Sequence, residues 1–224
     1  MMANKWITFD CFGTLVDWRT GFATILRPLA GERTDALITA YHELERQLEQ
    51  ERPHRLYRDV LETGLARAAA RIGLRLTGAQ AEALSAGWDR QPVFADVEPA
   101  LSNLRAAGWK LAVLTNCDVD LFDLTQGSFQ QPFDLVVTAE QVKDYKPSLA
   151  HFLYFWRASG VKRRDWVHVA CSWYHDIQPS REMDVRRIWV DRDRTGDDPT
   201  AATLRLEDVR ALPEAVESVT TAKP

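Results

Sequence analysis

Asp10 heads the stretch Asp10-Cys11-Phe12-Gly13-Thr14-Leu15, directly after the apolar run Trp6-Ile7-Thr8-Phe9. A carboxylate where a buried strand ends and a Gly-permitted turn begins is where α/β proteins keep nucleophiles. Such a group can displace a leaving group from carbon and form an ester that water later cleaves. Two residues on stands Phe12 instead of a second acid, which would offer a proton to a departing oxygen. A group that leaves carbon as a stable anion needs no proton, so Phe12 favours a carbon centre over phosphorus. Further polar stations follow at Thr115-Asn116, Lys146, and Cys171-Ser172 with Asp176. Lys146 near Asp10 would favour the ionised acid, commonly by about 1 to 3 pKa units. Thr14, Thr115 and Asn116 offer donors to the Asp10 carboxylate or to a substrate, and Asp176 suits positioning or deprotonating water with Ser172 in support.

Each station needs a strand end to hold it. Trp6 to Phe9, Lys110 to Leu114, Asp134 to Thr138, Trp166 to Ala170 and Arg187 to Val190 are brief, apolar and bounded by polar or turn residues, which reads as strands. Glu98 to Ala107, Leu149 to Ser159 and His175 to Met183 carry helical spacing, with Gly108 and Gly160 placed where helix ends take a left-handed residue. The alternation predicts a parallel sheet with right-handed crossovers, and ligands then sit outside the carboxyl ends of its strands. Between Trp18 and about Trp88 no strand is evident. Asp35 to Glu51 and Arg58 to Ile72 read as amphipathic helices broken near Arg52-Pro53. The expected organisation is a Rossmann-like α/β core over 1–17 and 93–224, with a helical cap over 18–92 inserted after the first strand. The polar stretch Asp191 to Asp198 reads as a loop, and Leu204 to Val216 as the segment that closes the domain.

Composition narrows the partners. The 224 residues are 46% hydrophobic and 27% charged with a net charge of -4, the profile of a globular protein without a basic patch for nucleic acid or a polybasic membrane arm. No apolar stretch approaches the roughly 18 residues of a membrane span, and the start Met1-Met2-Ala3-Asn4-Lys5-Trp6 has no signal-peptide pattern. The expected location is the cytoplasm and the expected partner a small molecule, with a homodimer left open. Cys11, Cys117 and Cys171 lack CxxC spacing, so neither a zinc site nor a disulfide framework is indicated. Each follows a strand that leads to one of the stations, so all three should lie around Asp10.

The order of these stations resembles the haloacid dehalogenase-like hydrolase superfamily over most of the chain. Asp10 and Thr14 match its first motif, Thr115 and Asn116 its second, Lys146 its third and Asp176 its fourth. Phe9 to Leu15, with an aromatic at 12, looks like the L-2-haloacid dehalogenase branch. That resemblance implies a helical cap, an Asp10 ester intermediate and no cofactor. It also implies departures: Cys171, Ser172 and Trp173 stand where the branch carries Ser-Ser-Asn, ungapped counting puts Leu37 at the cap arginine that meets halide, and Phe152 replaces a Tyr. Arg46 and Arg19 are candidate substitutes for the arginine.

The reading drawn from the sequence is a hydrolase acting on a small 2-substituted carboxylic acid, a 2-haloacid above others. Asp10, Lys146, Asp176 and Thr14 are the catalytic candidates; Thr115, Asn116, Phe12, Cys11, Ser172, Trp173 and Arg46 are the candidates for substrate contact. The alternative is a Mg-dependent phosphatase, with Asp10, the Phe12 carbonyl and Asp176 as hard oxygen ligands. An alternative of another class is a non-catalytic binding module.

Overall fold

The computed structural model describes residues 4–221. Met1 to Ala3, part of the leader reading above, lie outside the described residues. In chain order the elements are β1 (Trp6–Phe9), α1 (Trp18–Ala30), α2 (Thr34–Gln50), α3 (Tyr57–Arg71), α4 (Gly78–Ala81), α5 (Ala83–Ala86) and α6 (Val97–Ala106). There follow β2 (Lys110–Thr115), α7 (Val119–Gln126), β3 (Leu135–Thr138), α8 (Ala139–Val142), α9 (Ala150–Ser159) and β4 (Trp166–Ala170). The chain closes with α10 (Gln178–Glu182), β5 (Arg186–Val190), β6 (Leu204–Leu206) and α11 (Leu212–Thr221).

The six strands form one parallel sheet in the order β3-β2-β1-β4-β5-β6. Helices cover both faces, which is why the central strands read as nearly unbroken apolar runs. Ile7, Phe9, Leu111, Val113, Val167 and Val169 point into one core, and Trp6, Ala112, Leu114 and Trp166 into the other with Phe152 and Phe155 of α9. β1 lies between β2 and β4, so the chain leaves it in opposite directions and opens a crevice at its carboxyl end. Asp10 is the first residue in that crevice.

Between β1 and α6 the chain is helical. α1 begins at Asp17, whose carboxylate accepts from Thr20 N at 3.1 Å, an N-cap that opens the helix despite the later Gly21 and Pro28. Phe22, Ile25 and Leu26 of α1, Leu37 and Tyr41 of α2, and Val60, Leu61 and Leu65 of α3 are buried at three- and four-residue spacing. Each such side chain contributes roughly 1.5–3 kcal/mol of burial. They join the core that packs on Ile7 and Phe9. The insert leaves and rejoins the sheet through one neck: Asp17 N donates to the Pro92 carbonyl at 2.8 Å, Phe94 N to the Leu15 carbonyl at 3.0 Å, and Val16 bridges Val93.

Two features refine the sequence reading. The segment expected as one helix from His175 begins instead as a π-helical turn, Trp173–Ile177, before α10. The closing segment expected from Leu204 is a short edge strand followed by a separate helix. No helix among the described residues is long and apolar enough to cross a membrane.

Candidate active site

The turn after β1 is tight because Gly13 adopts φ +91°, and a Cβ there would meet Cys171 Sγ at 2.7 Å. The turn folds Thr14 back beneath the carboxylate, so its hydroxyl donates to Asp10 Oδ2 at 2.7 Å while accepting from Cys171 N at 2.8 Å. Lys146 arrives from the loop after α8. Its backbone is clamped by Asn116, which accepts from Lys146 N at 2.7 Å and donates to Lys146 O at 3.1 Å. The ammonium reaches across the strand ends and donates to Asp10 Oδ1 at 2.9 Å, Asp176 Oδ1 at 2.7 Å and the Leu114 carbonyl at 2.8 Å. With exposures of 7%, 2% and 0% for Asp10, Lys146 and Asp176, the three charges form a buried cluster.

A fourth buried residue holds this cluster from below. Thr8 and His168 are paired in register on β1 and β4. Trp166 Nε1–H can only donate, and does so to Thr8 Oγ1 at 2.8 Å. The Thr8 hydroxyl is thereby turned to Nδ1 of His168 at 2.9 Å, which leaves the ring proton on Nε2 to be donated to Asp176 Oδ1 at 3.2 Å. Asp176 Oδ1 is therefore fully engaged, whereas its Oδ2 is buried without a partner.

Charge follows from this wiring. Burial works to raise the Asp176 pKa, but Lys146 and His168 overcome it and hold the acid down to about 2. Asp10 moves the other way. Burial raises it above the ordinary carboxylate value, with the charge of Asp176 adding and that of Lys146 opposing. Lys146 does lower Asp10, as the sequence leads one to expect, but burial and the neighbouring Asp176 charge outweigh it. Burial alone would lower Lys146, yet the two carboxylates lift it above its usual value.

Above Asp10 opens a cavity of about 360 Å³, into which Phe12, Asn116, Lys146, Ser172, Trp173, Asp176 and Arg46 all project. Phe12 is set edge-on against Trp88 at 4.8 Å and forms an apolar wall beside the carboxylate. The Arg46 guanidinium lies over the Tyr174 ring at 5.0 Å. Trp18 and Arg19 also line the cavity. Thr14 sits beneath the floor. Thr115 and Cys11 are not part of the wall: both are fully buried, and the Thr115 hydroxyl donates to Cys117 Sγ at 3.5 Å. Among the cysteines Cys171 alone faces the cavity, its Sγ 3.8 Å from Asp10 Oδ2.

From the insert, sequence reasoning named Arg46 and Arg19 and missed His42, Glu45 and Glu49. α2 presents His42, Glu45, Arg46 and Glu49 to the cavity at three- and four-residue spacing. Burial works against Glu45 ionising, but His42 at 3.0 Å and the Tyr57 hydroxyl overcome it and hold its pKa below the usual value. One turn on, Glu49 is 5% exposed, and burial together with the charge of Glu45 pushes it well above the carboxylate range. His175, lowered to about 4 by burial, faces Glu49. His168 and Thr8 were legible as polar residues inside apolar strands, where a buried group must find a partner.

The donor set does not fit the Mg ion of the phosphatase alternative. Cys171 Sγ lies against both Asp10 Oδ2 and the Phe12 carbonyl, at 3.8 and 3.9 Å, and these are two of the oxygens the ion would share. A thiol kept protonated by burial is a poor partner for so hard a cation.

The chain is similar to known proteins in fold and in sequence. A solved L-2-haloacid dehalogenase superposes with a TM-score of 0.85 at 23% identity, covering 96% of this chain and 99% of that one. The L-2-haloacid dehalogenase from Xanthobacter autotrophicus superposes at 0.83 with 16% identity, over 95% and 98%. At such identities the likeness is one of fold. A phosphoserine phosphatase from Thermus thermophilus is 32% identical over 126 residues, 55% of this chain and 51% of that protein, so the chain spans about half the length of this curated relative. The family model described as haloacid dehalogenase-like hydrolase matches residues 4–177, from β1 through the fourth motif. The chain belongs to the haloacid dehalogenase-like hydrolase family.

Proposed function

We propose that Asp10 attacks carbon in a small 2-substituted carboxylic acid, a 2-haloacid above others, and that the enzyme proceeds through an Asp10 ester. The observation that carries this reading is the buried Asp10–Lys146–Asp176 cluster facing a cavity walled by Phe12. Lys146 and Thr14 hold the Asp10 carboxylate at both oxygens, so the nucleophile is oriented before substrate arrives. The helical insert acts as the cap over it. Arg46 is the cation placed to meet the substrate carboxylate, with Asn116 fixing Lys146. After displacement, Asp176 Oδ2 is the acceptor for a water that attacks the ester carbonyl. The low pKa of Asp176 keeps it ionised for that step, and His168 holds it in place. Phe12 supplies no proton, in keeping with a carbon centre.

A second reading, phosphate-ester hydrolysis, is favoured by the phosphoserine phosphatase likeness. Single turnover in oxygen-18 water with a 2-haloacid panel tests the first. Label in the peptide containing Asp10 is expected, and label confined to product in the first turnover would sink it. Release of phosphate from phosphoserine that requires Mg, without halide release, would select the second.

A further inference from the structure

Resting on the Asp10 reading, we infer that Glu49, with His175 beside it, is the proton donor to the leaving group, and that the enzyme is built for a small, basic leaving atom such as fluoride. Glu49 Oε1 accepts from Asn116 Nδ2 at 3.2 Å. The proton of the neutral acid therefore sits on Oε2, which faces His175 Nε2 at 3.8 Å. That nitrogen is buried without a partner. Ser172 Oγ, which accepts from His175 N at 3.1 Å, lies 3.0 Å from Nδ1 and donates to it, so the neutral ring carries its proton on Nε2. Two donors 3.8 Å apart can converge on one acceptor atom at hydrogen-bond distance from each. Both line the cavity that holds Asp10, and a single chain of contacts runs from Glu49 through Asn116 to Lys146 and on to the nucleophile.

A pair of neutral donors suits a hard, strongly accepting atom. It does little for bromide, which leaves unaided. As the Asp10 oxygen bonds to carbon, the carbon–fluorine pair departs on fluorine, which takes the Oε2 proton and leaves as HF. The Glu49 carboxylate so formed accepts from His175 Nε2–H. Water then cleaves the ester; one of its protons ends on the product hydroxyl and the other restores Glu49. The supply route is a second cavity of about 190 Å³ that shares Glu49, Lys146 and His175 with the first and extends to the exposed Arg52.

The test measures fluoride and bromide release from 2-fluoropropionate and 2-bromopropionate by the wild-type protein and Glu49→Gln, an isosteric change that keeps an oxygen for Asn116. General acids commonly contribute about 10²–10⁴-fold, so the fluoride-to-bromide ratio should fall about 30-fold or more in the variant. In the wild type, fluoride release should decline as pH rises through the elevated Glu49 pKa, a limb the variant lacks. The groups facing Glu49 that set this limb are Glu45 and Arg46 on α2, Tyr57 on α3, Tyr145 and Lys146 from the loop after α8, and His175 after β4. Equal loss of both halides, or wild-type release of bromide without fluoride, overturns the inference. Release of neither halide, with no adduct on the Asp10 peptide, overturns the Asp10 reading and this inference together.

Discussion

Replacing Lys146 with methionine keeps the volume of the side chain and removes only its charge and donors. Asp10 and Asp176 each place an oxygen within 2.9 Å of the same nitrogen, so those oxygens stand less than about 6 Å apart. At an effective dielectric of about 20, two full charges at that separation repel by roughly 3 kcal/mol. Removing one partner from a buried ionic cluster typically costs about 3–5 kcal/mol, which is the loss expected at pH 7.5. The repulsion is equivalent to roughly two pKa units, so the pair in the variant takes up a proton that the unfolded chain, with ordinary carboxylates, does not. The folded state then binds more protons than the unfolded one, and stability must fall as pH rises through the raised value. Urea unfolding from pH 5 to 8 is the assay. Lys146→Met should recover part of its stability at pH 5, and adding Asp176→Asn should restore about 2–3 kcal/mol at pH 7.5 and flatten the profile. A loss that does not depend on pH, or a double variant no more stable than the single, would refute the account of three mutually dependent charges.

The deeper wiring makes further predictions. His168→Phe removes a hydrogen bond to an ionised acid, worth about 1.5–3 kcal/mol, so kcat should fall about 10- to 100-fold, and the acid limb of the pH profile should move upward as Asp176 loses a partner that holds it near 2. A bulky thiol reagent should inactivate the enzyme slowly, because burial raises the Cys171 thiol, and should modify the Cys171 peptide alone; Cys171→Ser should resist it. Asp118, just after β2, accepts from Tyr57 N at 2.7 Å and Arg58 N at 2.8 Å and so caps α3. Asp118→Ala should cost about 2 kcal/mol in thermal or urea unfolding.

Most of the sheet was legible because its strands have two buried faces and announce themselves as short apolar runs. Trp6 to Phe9 and Trp166 to Ala170 match residue for residue. α1 was passed over although Asp17 and the spacing of Phe22, Ile25 and Leu26 signal it; Gly21 and Pro28 masked a helix that tertiary burial sustains. β6 is a three-residue, half-exposed edge strand, too brief for a periodic pattern. The four motif residues Asp10, Asn116, Lys146 and Asp176 were readable from their position after strands. Glu49 was not. On an amphipathic helix an acid reads as solvent-facing, and nothing local reveals that a second lobe closes over it.

The neck at Val16 and Val93 has a meaning beyond catalysis. Because Asp17 and Pro92 are joined by one hydrogen bond, the chain ends left by excising the helical insert would already lie side by side, with no gap for a linker to span. The sheet is thus a chassis with a socket. An insert of another length or fold could be spliced in at these two positions without changing the path of β1 or α6, so the side chains that α2 turns toward the cavity are exchangeable while Asp10 stays where β1 puts it.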